Sequence, residues 1–360
     1  MDYSDPNSPT IGVYFEWYPA LTAGARGTIL ATEGGPGYPT TGSRDDYRGL
    51  FGSLLNTHNL LMVDLRGTGR SSVIKCAGVQ HWTEASNTDQ QYINAVGACG
   101  RQLDHTWQRA DGAYVAASDL FTTANAARDV DLVLHRLHTG KVDFYGDSYG
   151  TFFGQTLTAR FPGDLRSVTL DAAYPVQGEN PFYPDITAAA EHAFDVSCAR
   201  SVACSTAAPG SSWKRVGELA VRLRRHALTG TTHTPDGIKV TETIGIDQLI
   251  ELINIAGADS GVYHDLDPAT RAYLDGSDPA PLLRLAAQEI DTGDSGPYRQ
   301  FSAGLYAATS CSDYPQPFGY REPVKQRVSD YAAAVKALPP GEFAPFTVAE
   351  WVTEPEEEFD

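Results

Sequence analysis

One short segment restricts this 360-residue chain more than anything else in it. Tyr145-Gly146-Asp147-Ser148-Tyr149-Gly150 follows the apolar run Val142 to Tyr145 and precedes a stretch of helical spacing from about Thr151 to Arg160. Gly-x-Ser-x-Gly between a strand and a helix is a nucleophile elbow. The turn is so tight that the serine takes a strained backbone, and the residues two places either side must lack a side chain. Gly146 and Gly150 meet that demand. The helix that follows aims its unpaired N–H groups at any oxyanion developing on a group attacked by Ser148.

The flanking chain reads as the alternation such a unit belongs to. Thr10 to Tyr18 alternates, while Gly27 to Thr32 and Asn59 to Asp64 are apolar runs suited to strands buried on both faces. Ala126, Val130, Leu134 and Leu137 recur at helical spacing within 119–138, with Gly140 stopping that helix, and Arg166 to Leu170 reads as a further strand. Strand, helix and strand at crossover lengths predict a mostly parallel sheet over residues 1–175. Beyond Tyr174 the strand pattern fades. Apolar stripes in Trp213 to His226, Ile246 to Ile253, Ala280 to Ile290 and Tyr298 to Thr309 predict helices. Gly230 to Gly237 reads as a loop. An insertion of about 135 residues exceeds any connecting loop, so 176–320 is expected to be a helical cap or lid. Residues 321–360 then begin a return to the core, led by a helix from Arg321 to Leu338.

Composition excludes several classes. Twenty-seven Lys and Arg against 45 Asp and Glu leave a net charge of −18, which repels phosphate backbones and anionic lipid. Nucleic acid is therefore not expected as a partner. No run of roughly 18 apolar residues is present to span a membrane. The sequence has no basic-then-apolar leader after Met1, and it stops in the acidic segment Glu354 to Asp360. Five cysteines form no C-x-x-C and no zinc spacing, so no metal is expected. Cys76 with Cys99, and Cys198 with Cys204, can each close a local loop in an exported protein, with Cys311 as the odd fifth. Five buried thiols in a cytosolic enzyme is the alternative.

A second glycine-rich element lies at the end of an early strand. Glu33-Gly34-Gly35-Pro36-Gly37 can bring a backbone N–H to a carbonyl under attack, with the N–H of Tyr149 as the other donor. Standing alone it would be an ordinary tight turn. Asp64-Leu65-Arg66-Gly67-Thr68-Gly69-Arg70-Ser71 reads as a structural turn. Gly293-Asp294-Ser295-Gly296-Pro297 looks like the active-serine segment of trypsin-like proteases, but a helical region lacks the two barrels that fold requires. It is read as a loop, with Pro297 opening the next helix.

The order GGPG, DLRGTGRS, GDSYGT and then a helical stretch resembles α/β-hydrolase peptidases of the proline iminopeptidase and tripeptidyl aminopeptidase type. Leu120 to Asp129 (LFTTANAARD) and Cys311-Ser-Asp-Tyr-Pro315 resemble the tripeptidyl aminopeptidase branch. The resemblance implies an α/β-hydrolase fold with Ser148 as nucleophile. It implies oxyanion donors at Gly35 and Tyr149 in a loop that includes Gly34, Pro36 and Gly37. The implied substrate is a peptide or small amide whose free amino terminus is held by cap carboxylates, for which Glu179, Asp185, Glu191 and Asp195 are candidates. No cofactor is implied, because the triad chemistry needs none.

That chemistry does need a histidine to take the Ser148 proton and a carboxylate to orient it, in chain order serine, acid, histidine. After Ser148 come His192, His226, His233 and His264, all in the helical insertion and none following a strand. His192 and His226 read as helix-surface or packing residues, and His233 and His264 as loop residues. Asp171, ending the strand after the elbow strand, is the one substitute acid, although an Asp at a strand end is common. The expectation is therefore a fragment whose last strands and remaining triad residues lie beyond Asp360, and which is itself inactive. The resemblance likewise implies a downstream partner for Cys311, and secretion or the cell envelope for the full-length protein. An esterase or lipase of the same fold is one rival. A non-catalytic, hydrolase-like binding protein is the other, and an intact elbow argues against it.

Overall fold

The computed structural model describes residues 1–83, 89–175, 178, 180–207, 210–257, 259–290 and 295–352. Glu179, Gly293, Asp294 and the acidic segment from Glu354 lie outside the described residues, with the expectations placed on them. Seven strands are described: β1 (Phe15–Tyr18), β2 (Gly27–Thr32), β3 (His58–Val63), β4 (Val142–Asp147), β5 (Leu165–Asp171), β6 (Leu228–His233) and β7 (Lys239–Ile244). The helices are α1 (Arg44–Phe51), α2 (Ala77–Gln80), α3 (Asp89–Leu103), α4 (Thr123–Leu137), α5 (Tyr149–Arg160), α6 (Pro184–Arg200), α7 (Val202–Ala207) and α8 (Ser212–Leu223). They continue with α9 (Ile246–Ala256), α10 (Ser260–Gly276), α11 (Ala280–Glu289), α12 (Ala303–Asp313), α13 (Val324–Ala337) and α14 (Val348–Trp351). None of them is long and apolar enough to cross a membrane.

The chain divides into two compact units. The first comprises, among the described residues, the segments within Met1–Glu179 and Gly293–Val324. Its sheet has the order β1-β3-β2-β4-β5, parallel throughout except for antiparallel β1. Alternation along β2 and β3 sorts the apolar side chains by face. Leu30, Leu61 and Val63 pack with Val130, Phe153 and Leu157 of α4 and α5. Ile29, Ala31, Leu60 and Met62 pack on the other face with Tyr47 and Phe51 of α1. Both strands are thus buried from two sides, as parallel strands are. Helix α4 opens on Thr122, whose side chain accepts from the Asn125 N–H, and closes on His138 in the left-handed region, φ 53°. The stop is therefore His138, two residues before the glycine that marks it in the sequence.

Residues 293–324 cluster with this first unit, whereas the sequence placed everything to residue 320 in a cap. The reason is apolar. Ala303, Leu305, Ala307, Ala308 and Cys311 of α12 bury against Ile74, Val79, Val96, Phe121 and the Cys76–Cys99 disulfide.

The second unit, Asn180–Thr292 with Lys325–Glu354, has a core of its own. Leu219 and Leu223 of α8, Leu249 and Ile253 of α9, Leu266 of α10 and Leu282 of α11 are all buried in it. It is not wholly helical. Strands β6 and β7 pair antiparallel from Leu228↔Ile244 to His233↔Lys239, so the loop expected over Gly230 to Gly237 is instead the end of β6 and the turn that follows it. Threonines at 229, 231, 232, 241 and 243 carry the β preference, and the glycines that suggested a loop fall at Gly230 within β6 and Gly237 in the turn. The second disulfide, Cys198–Cys204, lies here. Asp267, buried beside it, accepts from Ser212 Oγ at 2.7 Å and from Arg215 and Arg271 at 2.8 and 2.9 Å.

Candidate active site

The elbow is built from the ends of β4 and α5. Asp147 ends the strand, Tyr149 opens the helix, and Ser148 between them has φ 49° and ψ −123°. A non-glycine residue held there is strained, and strain of this kind gathers at functional positions. The turn is held by three bonds. The Ser148 N–H donates to the Asp171 carbonyl at 3.1 Å, and the Ser148 carbonyl accepts from Thr151 N at 2.9 Å and Thr151 Oγ1 at 2.7 Å. A Cβ on Gly146 would fall on the Gly150 carbonyl, and one on Gly150 would fall on the carbonyl of Thr32 in the neighbouring strand. Both obstacles are backbone and cannot swing aside, so the two glycines are steric necessities. The Ser148 side chain is left exposed.

Gly34 lies directly against it. A Cβ built on Gly34 would stand 2.9 Å from Ser148 Cβ and 3.2 Å from Oγ. The loop owes its approach to β2 and β4 running side by side, with Thr32 opposite Gly146 at their carboxyl ends. Gly35 at φ 113° and Gly37 at φ 128° occupy conformations that favour glycine. The loop is held from behind, since Glu33 N donates to Thr40 Oγ1 at 3.2 Å and Ser302 N to the Gly37 carbonyl at 3.0 Å. Gly34 N already donates to Glu33 Oε1 at 3.1 Å. Two N–H groups near Ser148 remain without an acceptor among the described residues: that of Gly35, and that of Tyr149 at the first position of α5.

Three neighbours could not be singled out from the sequence. Tyr47, buried on α1, donates its hydroxyl to Asp147 Oδ1 at 2.7 Å. Burial lifts the Asp147 carboxyl; the Tyr47 hydrogen bond opposes this and the adjacent Glu33 charge adds to it, for a net pKa of about 6. On the other side of the elbow, Tyr149 Oη bonds Thr123 Oγ1 at 2.8 Å, and Thr123 N donates to Asp313 Oδ2 at 2.6 Å. That bond joins the LFTTANAARD and CSDYP motifs behind the first turn of α5. Pattern and spacing carry no signal for such links, because their partners lie far apart in the chain.

DLRGTGRS proves to be a brace. Asp64 Oδ1 accepts from Thr41 N at 2.9 Å and Oδ2 from Arg70 N at 3.1 Å. Arg66, fully buried, makes two 2.7 Å bonds to Asp129 of LFTTANAARD.

No described side chain hydrogen-bonds Ser148 Oγ. Asp171 offers Ser148 its main chain, and its carboxylate accepts from Tyr145 Oη at 2.8 Å. His192 lies in α6, His226 follows α8, His233 ends β6 and His264 lies in α10, so neither of the last two is the loop residue expected. All four belong to the second unit. Of the acids expected to hold an amine, Asp195 is already engaged, accepting from Ser211 Oγ and Trp213 N at 3.0 Å each, while Asp185 and Glu191 are exposed on α6. Two groups of potential metal donors come together among the described residues. Cys198, Cys204 and Asp267 are one, its sulfurs already in a disulfide, and Asp131, His135 and Asp164 are the other, a surface ion-pair group.

Residues 27–191 match the family model described as the alpha/beta hydrolase fold. The fold is that of an α/β hydrolase. Among curated proteins, tripeptidyl aminopeptidases of Streptomyces lividans and Streptomyces coelicolor are similar, each 26% identical over 188 residues, 48% of this chain and 33% of theirs. The chain thus spans about a third of the length of these curated relatives. Among solved structures, a proline iminopeptidase-related protein of Thermus thermophilus is 17% identical, covering 51% of this chain and 50% of that one at a TM-score of 0.31. An esterase of Exiguobacterium antarcticum is 15% identical, covering 51% and 52% at 0.30. The chain is thus similar in sequence to tripeptidyl aminopeptidases over part of its length, and the elbow stands within the residues that match the fold model.

Proposed function

We propose that the chain carries the nucleophile half of a serine hydrolase site, acting on peptide or amide bonds near a free amino terminus through an acyl-enzyme on Ser148. The observation that carries the reading is the strained, exposed Ser148 packed against Gly34, with two unengaged N–H groups beside it. In the reaction, Ser148 Oγ attacks the carbonyl carbon as a base removes its proton. The tetrahedral oxyanion accepts from Gly35 N–H and Tyr149 N–H, and the leaving amine departs with the proton returned by that base. The tripeptidyl aminopeptidase likeness favours the amide substrate over the ester of the rival esterase reading. The two disulfides fit an exported protein.

The base is the open part of the site, and it suggests the experiment. Loss of a triad serine or histidine costs about 10⁶-fold in kcat. Ser148 in the 360-residue chain is therefore expected to be acylated slowly by a p-nitrophenyl ester, releasing p-nitrophenolate, or phosphonylated slowly by a fluorophosphonate, releasing fluoride, and faster in either case when free imidazole is added. Mass spectrometry should place the label on Ser148, and Ser148→Ala should abolish it. Labelling elsewhere, or none in the folded protein at any imidazole concentration, overturns the reading. Fast labelling without imidazole identifies an internal base, for which His233→Ala and His264→Ala are the variants to compare. An amino-acyl anilide, its N-blocked form and the ester then separate aminopeptidase from esterase.

A further inference from the structure

The surface of the first unit carries a pocket whose charged lining is of one sign. It has a volume of about 270 Å³ and is lined by Gly69, Arg70, Ser72, Val73, Lys75, Trp107 and Arg299. Its charged side chains are three cations, with no carboxylate among the lining residues. In a chain with 27 cations against 45 acids, a concave patch of one sign runs against the composition. None of the three makes an ion pair with a described residue.

The wall is held in place by tertiary contacts. Arg70 lies 4.8 Å over the Tyr14 ring and donates Nη1–H to the Tyr14 hydroxyl at 2.9 Å, which leaves four of the five guanidinium N–H donors uncommitted. Its main chain is tied to Asp64. Lys75 precedes the Cys76–Cys99 disulfide, and its carbonyl accepts from Gln102 at 3.1 Å. Ser72 holds a left-handed φ of 50°, and its hydroxyl accepts from Gly12 N at 3.0 Å. Arg299 stands in the turn closed by the Gln300 N to Pro297 carbonyl bond at 2.8 Å. Three like charges held close without counter-charge are mutually repulsive, and a bound anion relieves that repulsion. Trp107, half-buried, adds an apolar plane at the same place.

We infer that this pocket is a binding site for a small polyanion of the phosphate or polycarboxylate class, separate from the reaction at Ser148. The net charge of −18 opposes the approach of any anion, so binding must come from contacts within the pocket and not from long-range attraction.

The test is calorimetric titration of the folded Ser148→Ala chain with pyrophosphate and with citrate, at low and at physiological ionic strength. Lys75→Gln/Arg299→Gln removes two of the cations without touching the Arg70–Tyr14 contact. Lys141→Gln/Arg225→Gln removes the same charge elsewhere and serves as control, with thermal unfolding confirming that both are folded. Binding about ten-fold weaker in the pocket variant than in the control is expected. Preference for pyrophosphate identifies a phosphoryl ligand, and preference for citrate a carboxylate one. Equal affinity in the two variants, or no saturable binding of either anion to the parent chain, overturns the inference.

Discussion

The Tyr47 hydroxyl donates to Asp147 Oδ1 at 2.7 Å, and Asp147 is the residue immediately before Ser148. This bond joins the helix after the GGPG loop to the elbow, beside the Glu33 carboxylate that receives the Gly34 N–H. Both halves of the site are thereby linked through one carboxyl whose proton is held to about pH 6.

A pH dependence of stability follows. The Asp147 pKa is raised from 3.8 to about 6, so the folded protein binds this proton more tightly than the unfolded chain. Its contribution is full below pH 3.8 and is lost as pH rises through 6. Denaturant unfolding across that window should show a fall in stability that is flatter in Asp147→Asn. Tyr47→Phe removes the hydrogen bond that holds the pKa down, so the midpoint of the fall should move to higher pH.

The elbow glycines should tolerate no side chain. In Gly150→Ala the methyl would overlap the Thr32 carbonyl, and in Gly146→Ala the Gly150 carbonyl. Each should cost at least 1–3 kcal/mol, about the range for overpacking. Gly49→Ala, where a Cβ meets nothing within 4 Å, is the control for thermal melting.

Arg66 and Asp129 should behave as a buried pair. Removing either partner, as in Asp129→Ala, leaves an uncompensated charge and should cost about 3–5 kcal/mol. The Tyr3 hydroxyl also donates to Asp129 at 2.7 Å, so Tyr3→Phe should show a smaller loss in the same assay.

The two disulfides should differ in worth. Cys76–Cys99 spans 23 residues and Cys198–Cys204 spans 6. Loop-closure entropy then assigns about 3 kcal/mol to the first and about 2 kcal/mol to the second. Paired Cys→Ser variants, compared by denaturant midpoint, check the order.

The amino-acid sequence by itself determined the local elements of the site. Strand β2 was legible over its full length because apolar Ile29, Leu30 and Ala31 are flanked by the β-preferring Thr28 and Thr32. The elbow was legible because its sterics demand glycine at two fixed offsets from Ser148. These are interactions between chain neighbours, and spacing records them. The hairpin of β6 and β7 was lost because its exposed, threonine-rich strands carry no apolar alternation and include glycine. Tertiary structure alone decided that α12 packs with the first unit, that Thr123 meets Asp313, that Tyr47 reaches Asp147, and that Arg70, Lys75 and Arg299 line one pocket. Each is a contact between segments distant in the chain. Such contacts depend on how the sheet and helices stack, and no periodicity of the sequence encodes them.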